Sequence, residues 1–325
     1  MNIVIIGATG LVGQEVLKLL ENFEDEINIQ LIASESSKGK MFNFKSNNIK
    51  IETWNDINFN NDNIFINCSS SELSLKLLEK VKNSTSILID NSSALRMLDY
   101  IPLVIPHINF TYNNVYANPN CSTIILCCLL KPLLDYGLER IVISTYQAAS
   151  GSGKEGLNEL ELQMKQYGNN EDLTMDFWKR QYVGNCFVHN SSLTESHYNT
   201  EEMKLINETK KILNNNDLKI TATCIRVPTI RSHCESVNIQ FKNPISYEEI
   251  IKLIEKDSNL VLLDDKENNI FPDTIQSSNK NEVFVGHIRP DLSLPENIGW
   301  NFWISGDQIL RGAAYNAVEI FKNLI

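Results

Sequence analysis

Cys121 lies in the run Ala117-Asn118-Pro119-Asn120-Cys121-Ser122-Thr123, directly ahead of the apolar stretch Ile124-Ile125-Leu126-Cys127-Cys128-Leu129-Leu130. Pro119 disfavours helix at Asn118, and Ser122 and Thr123 suit a first turn, so the pattern predicts a buried helix from Cys121 to near Gly137. A thiol at that point meets free backbone N–H groups and the positive end of the helix dipole, both of which favour its thiolate. Such a thiolate suits covalent attack on a carbonyl, and the same N–H groups suit the oxyanion that forms. The run reads equally as a small buried cysteine at the start of a core helix, because free cysteines are commonly buried and inert. These residues alone leave both readings open.

Other side chains of the same chemistry lie further along. Arg226-Val227-Pro228 ends a strand expected over 218–225, and His233 comes seven residues after Arg226, ahead of a strand expected over 236–241. That is a cation and an imidazole at one strand–loop–strand turn, although one histidine near one arginine is ordinarily not a site. Gln147 closes a strand expected over 140–147 and precedes Ala148-Ala149-Ser150-Gly151-Ser152-Gly153-Lys154-Glu155-Gly156. This run lacks the first glycine of a phosphate-binding loop and has Glu155 where magnesium would need Ser or Thr, so it reads as a mobile glycine-rich turn. Thr200 is the expected cap of a helix over 201–213, on which Glu201 and Lys204 share a face; a surface ion pair is the ordinary reading. Residues 165–199 are polar and aromatic with little periodicity.

The elements that must position these groups begin at the first residue. Met1-Asn2-Ile3-Val4-Ile5-Ile6 reads as a strand, and Gly7-Ala8-Thr9-Gly10-Leu11-Val12-Gly13 then opens a helix through Leu20. This is a variant of the dinucleotide fingerprint, whose glycines let the backbone approach a pyrophosphate at a helix N-terminus; a tight strand-to-helix turn could use the same residues. A second strand, over 29–33, leads into Ser34-Glu35-Ser36-Ser37-Lys38-Gly39-Lys40. Glu35 falls about 20 residues past the last glycine, where an acidic group binds the ribose 2′-hydroxyl of NAD. Ser36, Ser37, Lys38 and Lys40 equally suit a 2′-phosphate. Short strands over 64–67 and 87–90 end in Cys68-Ser69-Ser70-Ser71 and Asn91-Ser92-Ser93-Ala94-Leu95-Arg96. Ligands of open α/β sheets bind at the carboxyl ends of strands, which makes Arg96 a candidate anion binder, though an isolated arginine is more often a surface charge.

Later, Ser246-Tyr247-Glu248-Glu249 reads as a capping box. Strands follow near 283–285 and 301–304, then a last helix from about Gln308, whose Gly312, Ala313, Ala314 and Ala317 allow close packing on the first domain. The expected fold class is α/β: a Rossmann-type dinucleotide-binding domain over 1–120, to which a C-terminal helix over 306–325 returns, and an α+β catalytic and dimerisation domain over 121–305.

Composition limits the function. A length of 325 residues is enough for two domains with a substantial core, and 42% hydrophobic content fits a globular enzyme. A net charge of −11 and a pI near 5.0 argue against a grip on nucleic acid. The chain starts on a strand, so no signal peptide is expected, and no apolar run is long enough to span a membrane. Seven cysteines without Cys-x-x-Cys or zinc spacing imply free thiols, no metal site and a reducing cytoplasm.

Taken together, the motifs resemble aspartate-semialdehyde dehydrogenase along nearly the whole chain. They are Gly7 to Gly13, Asn91 to Arg96, Asn118 to Thr123, Ser144-Thr145-Tyr146-Gln147-Ala148, Glu201-Glu202-Met203-Lys204, Arg226-Val227-Pro228 through His233, Val285-Gly286-His287-Ile288-Arg289, and Arg311-Gly312-Ala313-Ala314-Tyr315-Asn316-Ala317. The resemblance implies Cys121 as nucleophile, His233 as acid/base and Gln147 as the group orienting substrate beside the thiol. It further implies that Arg226 holds the substrate carboxylate and Glu201 its amino group, that Arg96 and Lys204 bind phosphate, and that Asn120 joins the substrate site. By the same matching, Gly7, Thr9, Gly10, Leu11, Val12, Ser34 and Ser37 hold NADP, and Asn316 contacts its nicotinamide. The implied chemistry is a hemithioacetal oxidised to a thioester, which phosphate cleaves to an acyl phosphate; biosynthesis runs the reverse. The implied partners are small-molecule substrate and phosphate, with a homodimer or a dimer of dimers.

This chain departs from the family pattern at Ser36, where NADP-using members commonly carry arginine, at Ser69 in place of a glycine, and at His107 in place of glutamate. The segment 157–199 is shorter and poorly matched. N-acyl-glutamyl-phosphate reductase shares the fold and a cysteine thioester, but its cysteine is usually followed by an aromatic residue and a proline rather than by Ser122-Thr123. A silent nucleotide-binding relative acting as an interaction protein would have no chemical reason to keep Cys121, Gln147, Arg226 and His233 together.

Overall fold

Two runs of strands, each closed into its own sheet, divide the chain. The computed structural model describes residues 1–24, 26–59 and 62–325, and it separates Met1–Asn120 with Ala313–Ile325 from Cys121–Gly312.

The first unit contains β1 (Asn2–Ile6), α1 (Leu11–Glu21), β2 (Asn28–Ile32), β3 (Met41–Phe44), β4 (Asn47–Glu52), β5 (Asn63–Asn67), α2 (Ser71–Val81), β6 (Ile87–Asp90), α3 (Pro106–Asn109) and β7 (Val115–Ala117). Its sheet runs β3-β4-β2-β1-β5-β6-β7 and is parallel except for the β3–β4 hairpin. A parallel strand covered on both faces needs an unbroken apolar run rather than alternation, and Ile3, Val4, Ile5 and Ile6 are all buried. Ile3, Ile5, Val16, Leu17, Leu20, Ile66 and Ile89 share a core with Ala314, Ala317, Val318 and Phe321 from the C-terminal segment. Gly7, at the turn from β1 to α1, has φ +82°, and a Cβ there would lie 2.6 Å from the carbonyl oxygen of Cys68, so no other residue fits.

The second unit contains α4 (Cys121–Leu130), β8 (Leu138–Gln147), α5 (Gly153–Gly168), β9 (Phe187–Val188), α6 (Thr200–Ile212), β10 (Lys219–Arg226), β11 (His233–Phe241), α7 (Tyr247–Lys256), β12 (Leu260–Leu262), α8 (Thr274–Ser277), β13 (Val283–Pro290) and β14 (Gly299–Gly306). Its mixed sheet is ordered β12-β13-β14-β11-β8-β10-β9. Helix α4 is buried at every position from Ser122 to Leu130, as a helix apolar all round must be. It ends sooner than its sequence suggests. Pro132 lacks an N–H, and residues Lys131–Tyr136 tighten into a 3-10 turn that Gly137 closes at φ +71°.

Several local expectations change. The cap of α6 is Asn199, not Thr200: its side chain accepts from Glu202 N while the Glu202 carboxylate accepts from Asn199 N. The glycine-rich run after Gln147 is not an open turn but a 3-10 turn at Ala149–Ser152 followed by the start of α5. His233 belongs to β11 rather than to a loop, because it pairs with Gly306. The unpatterned stretch before residue 199 packs Trp178, Tyr182 and Val183 with Ala149 and Leu160 in a small core. At the C-terminal end, residues 306–312 stay with the second unit, where Arg231 pairs with Asp307 and Arg311 Nη2 donates to Cys128 Sγ at 3.0 Å. Residues Leu310–Tyr315 wind as a π-helix, and α9 (Asn316–Lys322) follows in the first unit.

Candidate active site

Sheet register decides which side chains meet in the second unit. Arg226 on β10 pairs with Gln147 on β8 and with Phe187 on β9. The β11–β8 ladder reaches Cys234–Tyr146, which leaves His233 beside Gln147. Arg226, Gln147 and His233 thus form one row across the sheet, all on the buried face, since burial alternates along each strand. The row lies at the carboxyl ends of β8 and β10, and α4 covers the same face with Cys121 at its first position. Cys121 is partly buried, and Gly312 packs so closely on it that an added Cβ would lie 2.7 Å from Cys121 Cβ.

Each member of the row is fixed on one side and unmatched on the other. Ala148 N–H donates to His233 Nδ1 at 3.0 Å, so the neutral ring keeps its proton on Nε2. Burial, then the Arg226 charge, pulls the His233 pKa down to about 3, which keeps the ring neutral at working pH. Arg226 Nη1 donates to Ala148 O at 3.1 Å, and the guanidinium lies 5.5 Å from the centre of the Trp178 ring. Burial lowers the Arg226 pKa, while Tyr182 and the Glu201 carboxylate oppose that shift. Gln147 Nε2 donates to Ser122 Oγ and to Glu201 Oε1, each at 3.2 Å, and Lys204 Nζ reaches the other Glu201 oxygen at 3.0 Å. Arg226 Nε, Gln147 Oε1 and His233 Nε2 remain buried with no hydrogen-bond partner among the described residues. A buried guanidinium N–H calls for an anion, an amide oxygen for a donor, and an imidazole N–H for an oxygen. Together they suit a small polar ligand that offers an anionic group, a donor and an acceptor oxygen.

His189, one residue beyond β9, escaped the sequence reading because its segment has no periodicity. Its backbone N–H donates to Cys224 O at 2.8 Å, and Ser191 N–H donates to its Nδ1 at 3.3 Å. Burial, then the charge of Arg226, lowers its pKa to about 4.

In the first unit, Gly7, Thr9, Gly10, Ser34, Glu35, Thr53, Trp54 and Ser69 line a cavity of about 500 Å³. Leu11 and Val12 open α1 and Ser37 is buried; none of the three lines this cavity. Thr53 and Trp54 come from the end of β4, which carries no motif to reveal them. Lys38 is paired with Asp56 at 3.5 Å. Arg96 is buried, with Nε donating to Asn118 O and Nη2 to Asn91 O, both at 2.9 Å. Asn316 Nδ2 donates to Val104 O at 2.8 Å and to Asn118 Oδ1 at 2.6 Å, which leaves its own oxygen to accept from a ligand. Asn120 is buried at the end of this unit. Ser69 donates to Asn67 Oδ1 at 2.6 Å, and His107 lies in α3.

Residues 2–114 match the family model described as semialdehyde dehydrogenase, NAD binding domain, and residues 130–311 match its dimerisation domain. The aspartate-semialdehyde dehydrogenase of Prochlorococcus marinus is 38% identical over 331 residues, covering 100% of this chain and 96% of the relative. That of Bacillus subtilis is 36% identical over 339 residues, covering 100% and 97%. The crystal structure of aspartate semialdehyde dehydrogenase II complexed with ASA from Vibrio cholerae has a TM-score of 0.93 at 34% identity and covers 99% of this chain and 97% of that one.

Proposed function

The chain belongs to the aspartate-semialdehyde dehydrogenase family, and from its second unit we infer how it interconverts L-aspartyl 4-phosphate and L-aspartate 4-semialdehyde plus phosphate. This step serves the biosynthesis of lysine and diaminopimelate, threonine and methionine. The observation that carries the residue roles is the row of Arg226 Nε, Gln147 Oε1 and His233 Nε2, three buried atoms awaiting partners on the face that α4 covers.

In the phosphorylating direction, the Cys121 thiolate adds to the aldehyde carbon. A C–S bond forms, and the carbonyl electron pair moves to oxygen. His233 Nε2–H hydrogen-bonds that oxygen, sharing the proton as a general acid would. Arg226 holds the substrate carboxylate, and the Glu201 carboxylate and Gln147 Oε1 hold its ammonium. Asn316 would hold the nicotinamide, which when bound would supply the hydride acceptor that turns the hemithioacetal into a thioester. A phosphate oxygen then attacks the thioester, a C–O bond forms, the C–S bond breaks, and Cys121 leaves as the thiolate. Lys204 and Arg96 supply positive charge for the phosphate. Cys121→Ser tests the nucleophile: near-wild-type turnover in a phosphate-dependent assay with aspartate semialdehyde would rule it out.

The cofactor is NADP, with weak discrimination against NAD. The glycine loop suits the pyrophosphate and the Trp54 ring offers an apolar wall for adenine. Ser34 and Ser36 pair their hydroxyls at 2.9 Å within this loop. Lys38 can exchange its exposed, weak pairing with Asp56 for a 2′-phosphate. Glu35, on the cavity wall, opposes that phosphate and accounts for the weak discrimination. Catalytic efficiency with both cofactors, in the wild type and in Ser36→Arg, tests this assignment. NAD preferred by the wild type, or no gain in NADP selectivity from the arginine, would overturn it. The second unit forms a homodimer, which sedimentation would detect, and the free thiols of all seven cysteines suit the cytoplasm.

A further inference from the structure

A stretch of chain without helix or strand fixes one of the charges of the site. Residues 174–183 take neither form, yet their backbone is tied to one face of α5. Gly156, Glu159 and Gln163 of that helix are buried and share the face at helical spacing. The Glu159 carboxylate accepts from Phe177 N–H and, at 2.9 Å, from Trp178 N–H. Gln163 Oε1 accepts from Tyr182 N–H at 2.7 Å, while its Nε2 donates to Thr174 O at 2.8 Å. The Trp178 indole N–H donates to Gly156 O at 2.9 Å, and a Cβ on Gly156 would lie 2.9 Å from Trp178 Cζ2, so the ring depends on glycine there. The stretch then returns to the strand of Arg226. The Tyr182 ring meets Trp178 at 4.6 Å between centroids, and its hydroxyl donates to Val227 O at 2.7 Å.

What this framework holds against the site is one indole face. The Arg226 guanidinium lies 5.5 Å from the Trp178 ring centre, and both residues are almost fully buried, where water least weakens the attraction of a cation to an aromatic ring. Arg226 Nη1 donates to Ala148 O at 3.1 Å, and Nε is buried without a partner among the described residues. A Cβ added to Gly151 would lie 3.2 Å from both Arg226 Nη1 and His233 Nε2, so the guanidinium borders the same small space as the unpartnered imidazole nitrogen. One hydrogen bond to Ala148 O leaves the guanidinium plane free to tilt about it. We propose that Trp178 is a positioning residue: its indole face sets the plane of the Arg226 guanidinium, so that with Nη1 on Ala148 O the edge carrying Nε is presented to the substrate carboxylate. A bidentate fork needs that fixed plane, because two parallel N–H bonds must meet two carboxylate oxygens at once.

The inference rests on the reading of Arg226 as the carboxylate-binding group, and the test keeps the two apart. Tryptophan at position 178 alone is exchanged for its mono-, di- and trifluorinated analogues through a suppressed codon. Fluorine withdraws the negative charge of the ring face with little change in its shape. KM for aspartate semialdehyde, KM for phosphate, kcat and thermal unfolding are measured in this series and in Trp178→Leu, Arg226→Lys and Trp178→Leu/Arg226→Lys. KM for the semialdehyde is expected to climb with each fluorine, and by about tenfold in Trp178→Leu. The other two constants should change little, because a carboxylate away from the reacting carbon is held alike in ground and transition states. The double variant is expected to lose less than the product of the two single losses, since both act on one fork. An unchanged KM across the fluorinated series, an equal rise in KM for phosphate, or multiplicative losses in the double variant would each overturn the proposal. If Trp178→Leu does not fold, the fluorinated series, which preserves the packing, decides alone. A wild-type KM for the semialdehyde in Arg226→Lys would instead overturn the underlying reading.

Discussion

Replacing Gly312 by alanine would press from behind on Cys121, the proposed nucleophile. The added methyl would lie 2.7 Å from Cys121 Cβ and 3.0 Å from Cys121 Cα. Carbon atoms not bonded to one another settle at about 3.5–4.0 Å, so the two residues must separate by about 0.8 Å. Neither side yields easily. Gly312 is held in a π-helix by its N–H donating to Asp307 O at 2.9 Å, and Cys121 begins a helix that is buried from its next residue onward. A shift of about 1 Å in a reacting atom costs on the order of 10² in rate, about 2.7 kcal/mol of barrier. Gly312→Ala is therefore expected to keep its fold, turn over about a hundredfold more slowly, and react abnormally with iodoacetamide at Cys121. The assay is phosphate-dependent oxidation of aspartate semialdehyde, run beside thermal unfolding and thiol alkylation. Wild-type turnover would refute the reasoning. So would lost turnover accompanied by unchanged alkylation, because the defect would then not be at the thiol.

Cys121→Ser is expected to lower turnover by several powers of ten, whereas Cys127→Ser, deep in α4, should stay active in the same assay. Arg226→Lys should chiefly raise KM for the semialdehyde, since an ammonium cannot reproduce the planar fork that now lies over Trp178. His233→Ala should instead reduce kcat by about 10² to 10⁴, and steady-state kinetics showing the two phenotypes exchanged would overturn the assignment. His189 has a folded-state pKa near 4, below its ordinary 6.5, so between those values the unfolded chain binds the extra proton and stability falls as pH falls. Wild type is expected to lose about 3 kcal/mol more than His189→Gln between pH 7 and pH 4, a difference that denaturant titrations at each pH would detect.

What could be read from the sequence was what is local along the chain. The start of α4 follows from Pro119 and the apolar run, and the turn after β1 follows from its glycines, because each depends on neighbours a few residues away. The doubly wound first sheet follows from alternating apolar strands and helices. What could not be read depends on register and on close approach. His233 looked like a loop residue because nothing near it in sequence shows that it pairs with Gly306. His189 and Trp54 stand in segments without pattern and gain meaning only from the strands beside them. Gly312 looks like a helix-packing glycine until Cys121 is found against it. The Asn199 cap was missed by one position because asparagine and threonine both serve that role, and only the backbone says which does.

The row across the second sheet has a consequence for how such a chain can vary. Gln147 lies about 80 residues before Arg226 and His233, yet the spacing of the three is counted in ladder steps between β10, β8 and β11 and not in residues of intervening chain. Each strand therefore carries a reading frame for chemistry. Losing one residue within β8 would turn the Gln147 side chain to the opposite face of the sheet, much as a frameshift corrupts everything downstream of it. Insertions in the half-exposed turn at 213–217, between α6 and β10, leave the count intact, so length can vary there while the three side chains of the row keep their places.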